Sequence, residues 1–108
     1  MSDKTINVAE DFNLYPFARY KNQSDSSGEE FRDNILVPAL KSFDKVKVIL
    51  DGTEGYGSSW FDESFAGIVR KGILSKEDLL KKLDLVSEED PSYINEIKKY
   101  ISEASRTE

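Results

Sequence analysis

The chain contains no histidine and no cysteine. Without histidine there is no Ser-His-Asp or Cys-His nucleophilic site, no histidine-based zinc site, and none of the commonest general base. Without cysteine there is no disulfide framework, which is compatible with a reducing cytosol. Positive charge is in deficit as well: 15 Lys and Arg stand against 21 Asp and Glu, for a net charge of −6 and a pI near 4.7. That balance repels phosphate backbones at long range and excludes non-specific nucleic-acid binding as a first expectation. A basic or amphipathic protein partner suits it better. No stretch approaches the ~18 apolar residues of a membrane span, and the opening MSDKTINVAEDF has no apolar signal core. A cytoplasmic protein without membrane contact is expected.

What is present fits one small globular domain. A length of 108 residues supports a single core and no second catalytic domain, so 1–108 is read as one unit, with residues 1–3 and 105–108 expected to fray. The most informative stretch is Val46 to Gly72. Val46, Val48, Ile49 and Leu50 make a short β-branched run, the pattern of a central strand covered on both faces. Asp51 and Gly52 end it. Gly55 and Gly57 permit positive φ or close backbone approach, and Ser58 or Ser59 is placed to cap the following helix with a hydroxyl. Asp62 and Glu63 suit that helix's positive end, Arg70 and Lys71 its negative end, and Gly72 a left-handed stop.

Around this unit the chain reads in order. Lys4 to Val8 predicts a first strand with Ile6 and Val8 on one face, followed by a hairpin or extended segment through Phe12, Leu14, Tyr15, Phe17 and Ala18 to Tyr20. Lys21 to Gly28 is a turn-rich loop, expected to be mobile. Ser26 with Glu29, or Ser27 with Glu30, has capping-box spacing, and a helix follows towards Ser42 with Pro38 expected to kink or interrupt it at the third turn. Ser75 opens a short helix with Leu79, Leu80 and Leu83 on its buried side. Leu83 to Val86 alternates like an edge strand, and Asp90-Pro91 starts a last helix carrying Tyr93, Ile94, Ile97, Tyr100, Ile101 and Ala104 as a stripe that packs on the sheet as a lid. The sum is an α/β fold: a small mixed sheet of about four strands packed with three to four helices.

Gly52 to Ser59 has the glycine spacing of a phosphate loop between strand and helix, but Ser58 stands where the lysine belongs and Glu54 adds negative charge. Gly55-x-Gly57 with Trp60 is no dinucleotide fingerprint, because an indole occupies the third glycine position. Leu50-Asp51-Gly52-Thr53 lacks the nucleophilic aspartate of the phosphatase signature, since Ile49 occupies its place. Asp51, Glu54, Asp62 and Glu63 are acids that could meet on magnesium, but two lie in the first helical turn, where the dipole already explains them. Neither a cofactor nor a metal is expected, and a non-enzymatic role is. Tyr56 and Trp60 read as core members or as aromatic anchors for a partner.

The residues Ser27-Gly28-Glu29-Glu30-Phe31-Arg32, Pro38-Ala39-Leu40, Leu50-Asp51-Gly52 with Gly55-Tyr56-Gly57-Ser58-Ser59, and Phe61 to Arg70 resemble the bacterial STAS-like domain of unknown function, in a likeness read over nearly the whole chain. That family is named for its similarity to the anti-sigma factor antagonist fold. There, a serine at the start of the helix after a central strand is phosphorylated by a histidine-kinase-like ATPase. The resemblance implies that Ser58 or Ser59 is the phosphorylated position and that such an ATPase is a partner. It departs from the antagonist pattern in having Gly57 before the serines and Trp60 after them. The expected partner-binding residues are Glu29, Arg32, Glu54, Gly55, Tyr56, Gly57 and Trp60. A rival reading from charge and size alone is a small acidic inhibitor, mobile-element encoded, that blocks a basic nucleic-acid-binding enzyme.

Overall fold

The computed structural model describes residues 2–107. Its strands are β1 (Asp3–Asn7), β2 (Lys45–Ile49) and β3 (Leu83–Val86), all parallel and in the spatial order β1-β2-β3. Ile6 lies opposite Val48, and Val48 opposite Leu85. The sheet is thus three-stranded and parallel rather than mixed with about four strands. Both connections carry helices long enough for crossovers, and the segment expected to form a hairpin after β1 forms no strand among the described residues. Five helices accompany the sheet: a short π-helix Val8–Phe12, α1 over 28–42, α2 over 58–70, α3 (Lys76–Lys82) and α4 (Ser92–Glu103).

Strand order 1-2-3 without reversal has a consequence. Two right-handed crossovers advancing in one direction lay their helices on the same face of the sheet. Burial agrees: along β2, Val46 and Val48 are buried while Lys45 and Lys47 are exposed, and Thr5 and Asp84 flank Lys47 on the open face. The central strand is covered on one face, not two. With no reversal of strand order, the sheet has no switch-point crevice of the kind that holds ligands in doubly wound folds.

The covered face builds the core. Ile6, Val46 and Val48 meet Phe31, Leu36 and Leu40 of α1 and Trp60, Phe61 and Phe65 of α2, all at most 2% exposed. Burying each such large side chain contributes about 1.5–3 kcal/mol. The N-terminus of α1 uses the anticipated cap, the Ser27 hydroxyl accepting from the Glu30 N–H. Pro38 interrupts the α-helical pattern without ending the helix. The adjustment comes just before it, where Arg32–Leu36 widens into a π-turn with the Val37 N–H bonded to the Arg32 carbonyl, and the helix then runs on through the proline to Ser42.

The C-terminal half differs in two respects. The Asp90 carboxylate accepts from the Ser92 N–H, but Pro91 is the N-cap of α4 rather than part of its first turn, and α4 packs on α2 and α3 instead of covering the sheet. Leu79 is buried and Leu80 is exposed. At the ends, Asp3 already belongs to β1, and the Thr107 N–H bonds to the Arg70 carbonyl. Met1 and Glu108 lie outside the described residues.

Candidate functional site

The glycine turn leaves the C-terminal end of β2 and is tied to the loop after β3. The Asp51 carboxylate accepts from the N–H groups of Glu88 and Glu89, and the Gly52 N–H donates to the Glu89 carboxylate. Gly52 (φ 95) and Gly55 (φ 127) take left-handed backbone that disfavours a side chain, whereas Gly57 is extended at φ −90. Gly57 is itself the N-cap of α2. Neither Ser58 nor Ser59 caps the helix: both stand inside its first turn, exposed, and no side chain satisfies the helix start. Ser58 lies beside the Tyr100 phenol of α4, which donates to Glu96 at 2.9 Å; the Glu96 contact, then burial, raises that phenol above its ordinary range. Ser59 has no such neighbour among the interactions of the described residues.

The other expected contact residues divide. Glu54 is exposed, Gly55 and Tyr56 are half-buried, and Gly57 is exposed, all on the turn. Tyr56 leans inward: its hydroxyl donates to the Leu50 carbonyl at 2.8 Å and its ring stacks on Phe61 at 4.7 Å, so burial pushes the phenol well up. Trp60 is fully buried, its indole N–H donating to the Ser26 carbonyl, and is core rather than a partner anchor. Arg32 is 1% exposed and likewise leaves the candidate surface. Glu29 is half-buried, accepting from the Lys21 N–H.

Arg32 belongs instead to a charge network between α1 and α2. Its guanidinium donates to the carboxylates of Asp33 and Glu63 and to the Glu63 carbonyl. Arg19 donates to Asp62 (2.7 Å) and Glu63 (3.1 Å), and Arg70 donates to Asp62 (3.1 Å). Burial alone would raise the Asp62 carboxyl, but the hydrogen bonds from Arg70 and Arg19 outweigh it and hold the group below the ordinary carboxylate range. Asp33 is lowered in the same way, burial being outweighed by Arg32 and Lys21. Asp62 and Glu63 are therefore spent on arginines rather than on the helix dipole. Asp51, Glu54, Asp62 and Glu63 do not converge, and no cluster of metal-ligating side chains occurs among the described residues.

Sequence reasoning missed one feature. Residues 13–20 form no hairpin but a strap across the N-termini of α1 and α2. Its backbone is fixed: the Leu14 carbonyl accepts from Glu54 N–H, Phe17 N–H donates to the Ser26 carbonyl, and the carbonyls of Ala18 and Arg19 accept from Gly28 and Glu29. Pro16 is buried, while Leu14, Tyr15, Phe17 and Tyr20 are exposed. The available signal was the run Leu14-Tyr15-Pro16-Phe17, whose apolar residues follow neither helical nor strand spacing.

A family model, the STAS-like domain of unknown function (DUF4325), matches residues 27–93. The chain belongs to this family. The STAS-like match runs from the α1 cap to the first turn of α4, taking in the glycine turn and both serines, and leaves β1 and the strap outside it, a narrower span than the near-complete likeness read from sequence. No curated protein and no solved structure matches the chain. Within this STAS-like domain no helix of the described residues is long and apolar enough to cross a membrane.

Proposed function

We propose that this STAS-like domain is a non-enzymatic regulatory module that binds a protein through the Gly52–Ser59 turn and is switched by phosphorylation of Ser58 or Ser59. The observation that carries the reading is the state of the two serines. They are exposed, free of capping duty, and stand in the first turn of the helix that follows the central strand. A phosphate there gains from the helix dipole and adds about −2 charge to a surface that already carries Glu54. A histidine-kinase-like ATPase is the partner the antagonist resemblance implies. The absence of a switch-point crevice favours a surface function over a small-molecule one. Cytoplasmic residence is part of the same proposal.

The test is affinity capture from host cells with mass spectrometry of the 48–70 peptide. A histidine-kinase-like ATPase together with phosphate on either serine is the expected result. Serines unmodified in every captured complex would overturn the switch.

A second reading has its own observation. No lysine or arginine occurs in 5–18, 48–69 or 83–97, so every segment at the C-terminal end of the sheet is acidic or neutral apart from Arg19 and Arg70 at its margins. This favours an acidic inhibitor of a basic nucleic-acid-binding enzyme. Under that reading the captured partner is a nuclease or similar enzyme, released by added salt and indifferent to both serines.

A further inference from the structure

The strap presents apolar side chains on a backbone that has already been ordered. Leu14 is 49% exposed, Tyr15 60% and Phe17 57%, three of four successive residues, with the fourth, Pro16, turned into the protein. The ordering is specific. The Ser26 carbonyl accepts from both the Phe17 N–H and the Trp60 indole, and Arg19 holds the far end of the strap on Asp62 and Glu63. Ala18 sits at φ 76, a conformation costly for any residue with a side chain and kept here by its carbonyl bond to Gly28. A chain that only needed to connect β1 to α1 would not fix its backbone this firmly while leaving its aromatic side chains in water. Exposed apolar rows of this kind mark interaction sites, and a fixed backbone removes part of the ordering cost of binding.

The charge around the strap selects what can cover it. Through the Leu14–Glu54 bond the strap adjoins the glycine turn, and that turn adjoins the loop after β3 through Asp51 and Glu89. Glu54 and Glu88 are exposed on the turn and the loop, Glu10 is exposed on the π-helix that precedes the strap, and no ion pair among the described residues neutralises them. Lys4, Lys45 and Lys82 lie at the other end of the sheet, and the two cations beside the strap, Arg19 and Lys21, are paired with Asp62, Glu63 and Asp33. A second copy docking strap to strap would bring like charges together. We infer that the strap, with its acidic rim, is a docking surface for a basic amphipathic segment of a protein partner, with apolar side chains seated on Tyr15 and Phe17 and lysine or arginine facing Glu10, Glu54 and Glu88. The inference deepens the reading of this chain as a protein-binding module and adds to it the strap, which lies outside the family match.

The experiment uses the full chain and a synthetic amphipathic helix of leucine and lysine, with its leucine–glutamate counterpart as control, followed by fluorescence anisotropy and amide chemical-shift mapping. The leucine–lysine peptide is expected to bind and to shift strap amides. Tyr15→Ser with Phe17→Ser should weaken it about tenfold or more, as loss of aromatic anchors does. Glu54→Gln with Glu88→Gln, and a rise from about 50 mM to about 500 mM salt, should weaken it as well. Leu80→Ser, at an exposed apolar residue on α3, should leave it unchanged. Any of four results overturns the proposal: no binding, equal binding to the glutamate peptide, equal loss with Leu80→Ser, or strap-dependent binding to neutral lipid vesicles instead. Strap-dependent self-association in sedimentation would overturn it in favour of a second copy. The two readings fail separately. Peptide binding that Ser58 and Ser59 variants leave unchanged keeps the surface and removes the switch, and phosphoserine-dependent capture without strap binding does the reverse.

Discussion

Arg32 and Glu63 form an ion pair at the crossing of α1 and α2, each placed in the π-turn of its own helix. The crossing is close because two positions on it have no side chain. A Cβ on Gly28 would lie 2.6 Å from the Trp60 carbonyl oxygen, and one on Gly67 would lie 2.8 Å from the Arg32 guanidinium. Small residues at the contact let two helices approach closely enough to enclose a charge pair, Asp33 and Arg19 complete the hydrogen bonds that such burial requires, and Arg70 adds an ion-pair contact with Glu63 at 3.6 Å. The same network holds the strap through Arg19, which connects the packing of the helices to the proposed docking surface.

Breaking this pair should be costly. Glu63→Ala or Arg32→Ala leaves a buried charge with fewer partners, and each is expected to destabilise the fold by about 3 kcal/mol. Because the two side chains bond directly to each other, the two losses should not add. The double variant should fall short of the sum by about 1 kcal/mol or more in urea denaturation. Additive losses would mean that the two side chains act independently.

The glycines give a second contrast. Gly28→Ala meets backbone, which cannot rotate away, so the helices must separate at a cost of about 1–3 kcal/mol. Gly57 is extended and has no heavy atom within 4 Å of the added position, and it caps α2 without a side chain. Gly57→Asp should supply the missing cap and raise stability by about a few tenths of a kcal/mol. Thermal or urea unfolding of the two variants checks the order.

Much of this organisation was legible before the structure. The Ser27–Glu30 spacing marked the start of α1, Gly72 marked the end of α2 and takes φ 71, and Ile6 with Val8 marked the buried side of β1, whereas the β-branched run of β2 suggested two covered faces where there is one. Those signals are local. Arg32 was read as a surface contact because its burial depends on Glu63, 31 positions away, and on glycines in two helices. The strap escaped for the same reason, its conformation being set by partners such as Glu54 and Ser26 rather than by its own spacing. Pro38 explains the π-turn in α1, whereas nothing local explains the one in α2.

The pH dependence follows from the network. Asp62 and Asp33 are held below the ordinary carboxylate range in the folded chain, so each contributes stability that is fully present above the unfolded value of about 3.9 and is lost as pH falls through the lower folded value. With no histidine in the chain, no group of that type titrates between pH about 5 and about 8. Stability should be level across that range and fall below pH about 4. Asp62→Asn should be less stable at neutral pH and show a shallower acid loss. An acid limb identical to that of the unaltered chain would remove Asp62 from the account.

The two serines, which the sequence left equivalent, are separated by their neighbours. Ser58 lies beside the Tyr100 phenol, itself bonded to Glu96, while Ser59 projects from the same turn without that contact. A negative charge at either position gains about 0.3–1 kcal/mol from the start of α2. At Ser58 that gain is opposed by the charge of Glu96 and by displacement of the Tyr100 hydroxyl. Ser59→Asp should therefore be neutral or slightly stabilising, and Ser58→Asp should be less stable than Ser59→Asp, with amide shifts spreading into α4 around Tyr100. Since neither hydroxyl caps the helix, Ser58→Ala and Ser59→Ala should each change stability by no more than about 0.5 kcal/mol. This makes the alanine variants clean controls for partner binding, because a loss of binding in either could not be attributed to a lost cap. Equal stabilities and equal shift patterns for the two aspartate variants would show that α4 does not sense the charge at Ser58, and would leave the serines interchangeable as positions for a switch.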